Sequence, residues 1–343
     1  MRIAVCAPQV PFERGGTEIL AETLVRELRT RGHEVEEVKI PFKWYPRASA
    51  LREAVVWRLV DIEEAQERPV DLVIATKYPS YAIRHSNKVV WLVHQFRQAY
   101  ELDRADFGQF GEDPFDRATV RAIHRVDRQT LREAKRLFAI SRNVADRLER
   151  STGLTADVLP PPPQQLDYRS SEAAGEFVLS VGRLDRAKRV DLLLEAAALD
   201  GSLNVVVAGE GPDRNRLERL SAERGLDGRV TFAGRVGDDE LVDLYARSLA
   251  VFYAPFDEDF GFVPYEAFLS ERPVVTTHDA GGPLEVVVDP ENGIVCEPVP
   301  SAVASALSWL AANPEEARAR GRAGKRRAEE VTWDSVIDRL VGA

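Results

Sequence analysis

Two glutamates, Glu258 and Glu266, stand eight residues apart in the stretch EDFGFVPYE, at the foot of an apolar run and around a glycine. A carboxylate can accept bonds from two adjacent hydroxyls, so a pair of them near one ligand edge suits polyol recognition. The alternative for Glu266 is a buried helix acid that serves structure alone. Asp257, Glu258 and Asp259 also spell an Asp-x-Asp pattern that oxygen-seeking divalent cations use. So short an acidic run has little specificity, and no metal is assigned. Arg183 and Lys188, five residues apart in VGRLDRAK, sit just past another apolar run, where two converging cations would neutralise a diphosphate leaving group. Taken singly, each reads equally as a surface charge. Gly15 and Gly16 follow the first apolar run and open a helical pattern, which lets backbone amides and a helix N-terminus approach an anion. Ordinary turn chemistry explains such a pair just as well. Gly281, Gly282 and Glu285 form a second turn of this kind, and His94 closes VVWLVHQ, the most apolar run that ends in a histidine. His33, His85, His124 and His278 show no metal-ligand spacing.

Residues of these types do chemistry only where the chain positions them, and composition bounds how. A chain of 343 residues exceeds what one core usually serves, which predicts two domains. Its net charge of −10 opposes general nucleic-acid binding, because neutralising phosphates needs a basic surface. The two cysteines, Cys6 at the end of a first strand and Cys296 far from it, lie in apolar company that suits reduced core thiols and a cytoplasmic setting. MRIAVCAPQVPFERGG meets a proline and charges too early for a signal-peptide core, and no run approaches the roughly 18 apolar residues of a membrane span. The expectation is a cytoplasmic protein, soluble or at most peripheral at the inner face of a membrane.

RIAVCAP, HEVEEVKI, VDLVIATK, KVVWLVHQ and RLFAIS read as strands, with helical patterns between them such as 17–30. After the proline run Pro160 to Pro163 a second series follows: FVLSVGRL, NVVVAGE, RVTFAGR, LAVFYAP, PVVTT and GIVCEP, with helices over 190–199 and 213–224. Alternation of this kind predicts parallel sheets covered on both faces, and such sheets bind ligands at the carboxyl ends of their strands. The prolines cannot continue a helix and mark a stiff linker. The predicted domains are 1–163 and 164–330, with a final helix near 331–343 that packs back on the first. AANPEEARARGRAGKRRAEE reads as one charged helix with a solvated face, and Trp57 and Trp91 as core. The polar, aromatic-dotted segment 96–130 after His94 suggests acceptor contacts by its position.

In their order along the chain these motifs resemble family 4 retaining glycosyltransferases of the GT-B fold. GGTEILAETLVRELRTRGHEV is similar to the family's N-terminal glycine loop and helix, VHQ to its acceptor-domain histidine segment, and FAISRNVADRL to the last strand and helix of that domain. VGRLDRAKRVDLLLEA, VVVAGEGP, VTFAGRVGDDELVDLYARS, EDFGFVPYEAF, PVVTT, GGPLEVV and NGIVCEP follow in the family's sequence. The resemblance implies an α/β protein of two Rossmann-like, doubly wound parallel-sheet domains facing across a cleft, the acceptor held by the first and a nucleotide sugar by the second. Glu266 would bond the ribose, Glu258 the transferred sugar, and Val236 the base through its main chain. Arg183 and Lys188 would hold the diphosphate, with backbone amides around Gly261, Phe262 and Val263 and the Gly15–Gly16 loop, while His94 would face the reacting sugar. It further implies a UDP- or GDP-sugar as co-substrate, no metal or other cofactor, and transfer with retention to a hydroxyl of a glycan, lipid-linked glycan or small molecule. Two departures stand out. Asp259 replaces a usual glycine beside the sugar glutamate, and in LSERP Glu271 takes the place of a helix-capping glycine. The competing readings are an epimerase or other enzyme on the same fold, or a non-catalytic carbohydrate binder. A nicotinamide-dependent dehydrogenase is disfavoured, since GGTEIL lacks the third glycine of the dinucleotide fingerprint.

Overall fold

Short β-branched runs form strands, and the periodic segments between them form the helices that cover both faces. The computed structural model describes residues 1–12, 15–103, 108–163, 167–171 and 175–342. One unit comprises Met1–Pro161 with Thr332–Ala343, and the other comprises Pro162–Val331.

The first unit runs β1 (Arg2–Gln9), α1 (Gly16–Thr30), β2 (Glu34–Pro41), α2 (Ser49–Leu59), a small antiparallel hairpin β3 (Glu64–Ala65) and β4 (Arg68–Pro69), β5 (Leu72–Ala75), β6 (Lys88–Leu92), α3 (Pro114–Leu131), β7 (Arg136–Ala139), α4 (Arg142–Thr152) and β8 (Asp157–Val158). Its parallel sheet has the order β2-β1-β5-β6-β7-β8. Every residue of β5 and β6 is buried, as expected of central strands covered on both faces. Cys6 lies within β1 rather than at its end, and it is buried. Trp57 and Trp91 are core residues.

The second unit runs β9 (Phe177–Val181), α5 (Val190–Leu199), β10 (Val205–Ala208), α6 (Arg214–Glu223), β11 (Val230–Gly234), α7 (Asp238–Arg247), β12 (Ser248–Phe252), α8 (Val263–Leu269), β13 (Val274–Thr277), β14 (Gly293–Cys296), α9 (Pro300–Ala312) and α10 (Pro314–Ala328). Its parallel sheet has the order β11-β10-β9-β12-β13-β14. Leu193, Leu194, Val205, Phe252, Leu307 and Leu310 sit at the heart of its core, where α5 and α9 press on the sheet.

The last helix, α11 (Trp333–Val341), belongs to the first unit. Trp333 packs edge-to-face on Trp91 at 6.1 Å between ring centroids. The Arg136 guanidinium donates to the carbonyls of Arg339 and Leu340 at 2.8 and 2.9 Å, satisfying acceptors that a helix C-terminus leaves open.

One element differs from the reading of the sequence, and two others gain detail. The charged stretch expected as one helix is broken, because Asn313 leaves helical geometry and Pro314 opens α10, where a missing N–H costs nothing. Segment 96–130 contains a helix: Asp113 accepts bonds from the amides of Phe115 and Asp116 and starts the 18-residue α3, while residues 104–107 lie outside the described residues. Glu271, read as standing in for a helix-capping glycine, sits at φ 56° just past α8, in the left-handed region that such a glycine occupies without strain. Lys325 of α10 pairs with it at 3.0 Å. No helix among the described residues is long and apolar enough to cross a membrane.

Candidate functional site

In the second sheet the chain first moves outward from β9 through β10 to β11, then returns to the other side of β9 as β12. At such a reversal the loops leaving the two central strands diverge and open a crevice at their carboxyl ends. The loop after β9 carries Arg183 and Lys188, and the loop after β12 carries Tyr253 and Glu258. Arg183, Lys188 and Tyr253 line one small cavity there, with Gly182 and Ser180. Lys188 is further placed by a backbone N–H bond to the Asp185 carboxylate at 3.2 Å.

The Lys188 ammonium forms an ion pair with the Glu258 carboxylate and lies 3.2 Å from the Tyr253 hydroxyl. Burial alone would depress this lysine, but the Glu258 carboxylate and Tyr253 outweigh it and hold the ammonium above the usual lysine range. The cation assigned to the diphosphate and the acid assigned to the sugar are therefore neighbours in one site. An incoming anion must share Lys188 with Glu258 or displace it.

Glu258 is held from a third strand as well. Its N–H donates to Ala280 at 2.8 Å, its carbonyl accepts from Gly282 at 2.8 Å, and Asp257 donates to the Asp279 carbonyl at 2.9 Å. The acidic loop thus adds a short parallel bridge to the Gly281–Gly282 turn after β13. Side chains are excluded at two points of this contact. A Cβ on Gly282 would lie 2.7 Å from the Asp259 carbonyl oxygen, and one on Gly261, at φ 84°, would lie 2.7 Å from the Tyr253 ring. Asp259, at the position where a glycine was expected, is buried. Among the described residues no group of three or more His, Cys, Asp or Glu is gathered to hold a metal ion.

Arg189, not singled out in the sequence, locks these loops together. Its backbone is left-handed at φ 51°, and its guanidinium donates to the carbonyls of Ala254 and Pro255, to the Thr277 hydroxyl and to both Asp279 oxygens, at 2.7–3.0 Å. An arginine next to Lys188 at the mouth of α5 carries no sequence signal of this role, since its partners are 65 to 90 residues away.

Glu266 lies in the first turn of α8, one turn beyond Gly261, Phe262 and Val263. The Tyr245 hydroxyl of α7 donates to its carboxylate at 2.6 Å. Burial raises the Glu266 carboxyl above the usual range, the Tyr245 bond opposes that, and Asp238 at the start of α7 adds to it. Asp238 stands two residues after Val236, so the β11–α7 loop lies close to Glu266. Glu266 is thus a hydrogen-bonded, largely buried acid beside the β11–α7 loop.

Gly15, Gly16 and His94 belong to the first unit, at the carboxyl ends of β1 and β6. The sheet reverses direction between β1 and β5, the corresponding crossover. Gly15 caps α1 and its N–H donates to the Glu18 carboxylate at 3.0 Å, the one half of a capping box that a glycine can make. Lys77, just after β5, donates to Glu18 and to the Thr17 hydroxyl, both at 2.7 Å. Burial would raise Glu18, but Lys77 and the Gly15 amide hold it below the usual range. Next to Lys77, the Tyr78 N–H donates to the His94 carbonyl at 3.2 Å, and the His94 ring lies 2.7 Å from the Gln95 carbonyl through Nδ1. Lys77 was not picked out in the sequence, although a lysine directly after a buried strand is the cue that marked Lys188.

Residues 168–327, nearly all of the second unit, match the family model described as glycosyl transferases group 1. The mouse alpha-1,3/1,6-mannosyltransferase ALG2 is 30% identical over 196 residues, 52% of this chain and 47% of that protein. The D-inositol 3-phosphate glycosyltransferase of Rhodococcus jostii is 30% identical over 242 residues, 63% of this chain and 53% of that protein. The chain thus spans about half the length of these curated relatives. Among solved structures, sucrose-phosphate synthase from Thermosynechococcus elongatus superposes with a TM-score of 0.81 at 18% identity, over 99% of this chain and 97% of that one. Anabaena Alr3699/HepE in complex with UDP-glucose gives 0.74 at 17% identity, over 100% and 98%. The fold is GT-B, with two six-stranded parallel α/β units.

Proposed function

With residues 168–327 matching the group 1 glycosyl transferases, we propose that this protein transfers a sugar from a nucleoside diphosphate sugar to an acceptor hydroxyl, with retention and without a metal. The observation that carries the reading is the Lys188–Glu258 pair at the β9/β12 crossover, a cation and a carboxylate side by side where a phosphate and a sugar must both be recognised. Arg183 and Lys188 neutralise the diphosphate, and Glu258, freed from Lys188 by that anion, turns to the sugar hydroxyls. Glu266 takes the ribose, and Val236 meets the base through its main chain. Phe262 and Val263 offer amides to the phosphates beside Gly261. In the first unit the resemblance assigns Gly15 and Gly16 to the phosphate and His94 to the reacting sugar, and that assignment is part of the proposal. The bond between the anomeric carbon and the diphosphate oxygen breaks with its electron pair leaving on the phosphate. The acceptor oxygen bonds to the same face of that carbon, and its proton passes to the departing phosphate oxygen. No enzyme nucleophile enters this sequence. UDP- and GDP-sugars are the expected donors, in keeping with a relative of this fold solved with UDP-glucose.

The test is turnover of UDP- and GDP-sugars by the full chain in EDTA, with water as the default acceptor and the anomeric form of the released sugar read by NMR. The expected outcome is nucleoside diphosphate release with the donor's anomeric configuration kept and no effect of EDTA. Inverted sugar would overturn retention, and activity restored only by added Mn²⁺ would overturn metal independence.

A further inference from the structure

The first unit has an open pocket that Gly15, Gly16 and His94 do not line. A pocket of about 1010 Å³ is lined by Trp44, Tyr45, Arg47, Gln98, Gln109, Phe115 and Asp116, together with smaller neighbours. Its walls come from the segment after β2, from the short 3-10 turn that follows His94, and from the start of α3. Two of those segments leave the carboxyl edge of the sheet, where α/β units bind ligands.

The lining has two kinds of surface. Tyr45 and Phe115 are the aromatic faces, 57% and 62% exposed. They are not loose. Trp44 meets Tyr45 edge-on at 5.5 Å and Phe42 at 6.3 Å, and Phe42 in turn packs on Tyr78 and Phe96 in the core. Gln109 is fixed by donating its side-chain amide to the Trp44 carbonyl at 2.8 Å and its N–H to the Gln98 amide oxygen at 2.7 Å. Asp116, buried, pairs with Arg47 and accepts from the Gly111 N–H at 2.6 Å. Aromatic faces alongside amide and carboxylate groups match a pyranose, which has an apolar C–H face and a rim of hydroxyls. Charge narrows the class further. Arg47 stands against both Asp113 and Asp116, and the Asp116 pair already engages it, so the pocket disfavours a phosphorylated ligand.

We infer that this pocket binds a neutral sugar ring of the acceptor, so that the acceptor is a glycan or glycoside rather than a phosphorylated small molecule. The inference rests on the transferase reading for the word acceptor, and on the pocket alone for sugar binding. Tyr45 and Phe115 stack on the ring, and Gln98, Gln109 and the Arg47–Asp116 pair meet its hydroxyls.

The experiment is ligand-observed NMR on the full chain with a panel of neutral p-nitrophenyl glycosides and disaccharides, glucose 6-phosphate and p-nitrophenol. UDP and GDP binding is measured in parallel, for wild type, Tyr45→Ala and Phe115→Ala. Both rings are largely exposed, so the variants keep the fold, which circular dichroism checks. A neutral glycoside is expected to bind about tenfold more weakly to each variant, the loss of one stacking face, with nucleotide binding unchanged. Three results would overturn the inference: no neutral sugar binding to wild type, equal binding to the variants, or p-nitrophenol or glucose 6-phosphate binding as well as the glycosides. Failure of nucleotide binding alone would sink the transferase reading while leaving the sugar pocket decided by its own arms.

Discussion

The ion pair at the β9/β12 crossover depends on single side chains held from a distance. Lys188 and Glu258 come from different loops, and their pairing requires both loops to keep their places. Arg189 does that holding: it ties the loop after β12 to the loop after β13 through Ala254, Pro255, Thr277 and Asp279. Replacing Arg189→Ala removes charge-assisted bonds from a part-buried site and should lower stability by roughly 2–3 kcal/mol. The amides of Asp257 and Glu258, bonded to Asp279 and Ala280, should exchange with solvent faster, as read by hydrogen-exchange mass spectrometry. Unchanged exchange over 255–260 would show that the loops hold without Arg189. None of this was legible beforehand, because a residue adjacent to Lys188 in sequence gives no hint of partners two strands away. The types of Lys188, Glu258 and Glu266 and their places after apolar runs were legible; their mutual contact was not.

At the scale of elements, the strands were readable because β-branched runs closed by glycine or proline have few other solutions. The order of the strands was not, since periodicity says nothing of which neighbours pair. α3 was not marked within the polar stretch 96–130, although its Asp-Pro start is a helix signal. Its buried face carries Asp127, whose carboxylate accepts from Tyr100 at 2.7 Å and Gln95 at 3.1 Å. Burial pushes Asp127 up to about 6, against hydrogen bonds that pull it down. An acid raised by folding binds its proton more tightly in the folded state. Its stabilising contribution is therefore whole below the unfolded value near 4, falls as pH rises, and is gone above about 6. Relative to Asp127→Asn, the wild type should lose roughly 3 kcal/mol between those limits in urea melts. A difference that stays flat from pH 4 to 6 would contradict that sign.

On the scale of the whole molecule, each unit repeats one plan: a parallel sheet that reverses direction beside its first strand, with polar loops gathered at the reversal. The switch from helix back to the first unit at Thr332 follows from the apolar stripe of Trp333, Val336, Ile337 and Leu340, which needs a core to bury it. The central claim is that the second unit holds a nucleoside diphosphate through Lys188 and Glu266. Its most direct test is isothermal calorimetry of UDP, GDP and pyrophosphate on the full chain, with Lys188→Ala and Glu266→Gln beside it. The account predicts that one nucleoside diphosphate binds wild type, that Lys188→Ala weakens it and pyrophosphate alike, and that Glu266→Gln weakens the nucleotide about tenfold while sparing pyrophosphate. Nucleotide binding that neither substitution changes, or none at all in wild type, would contradict it.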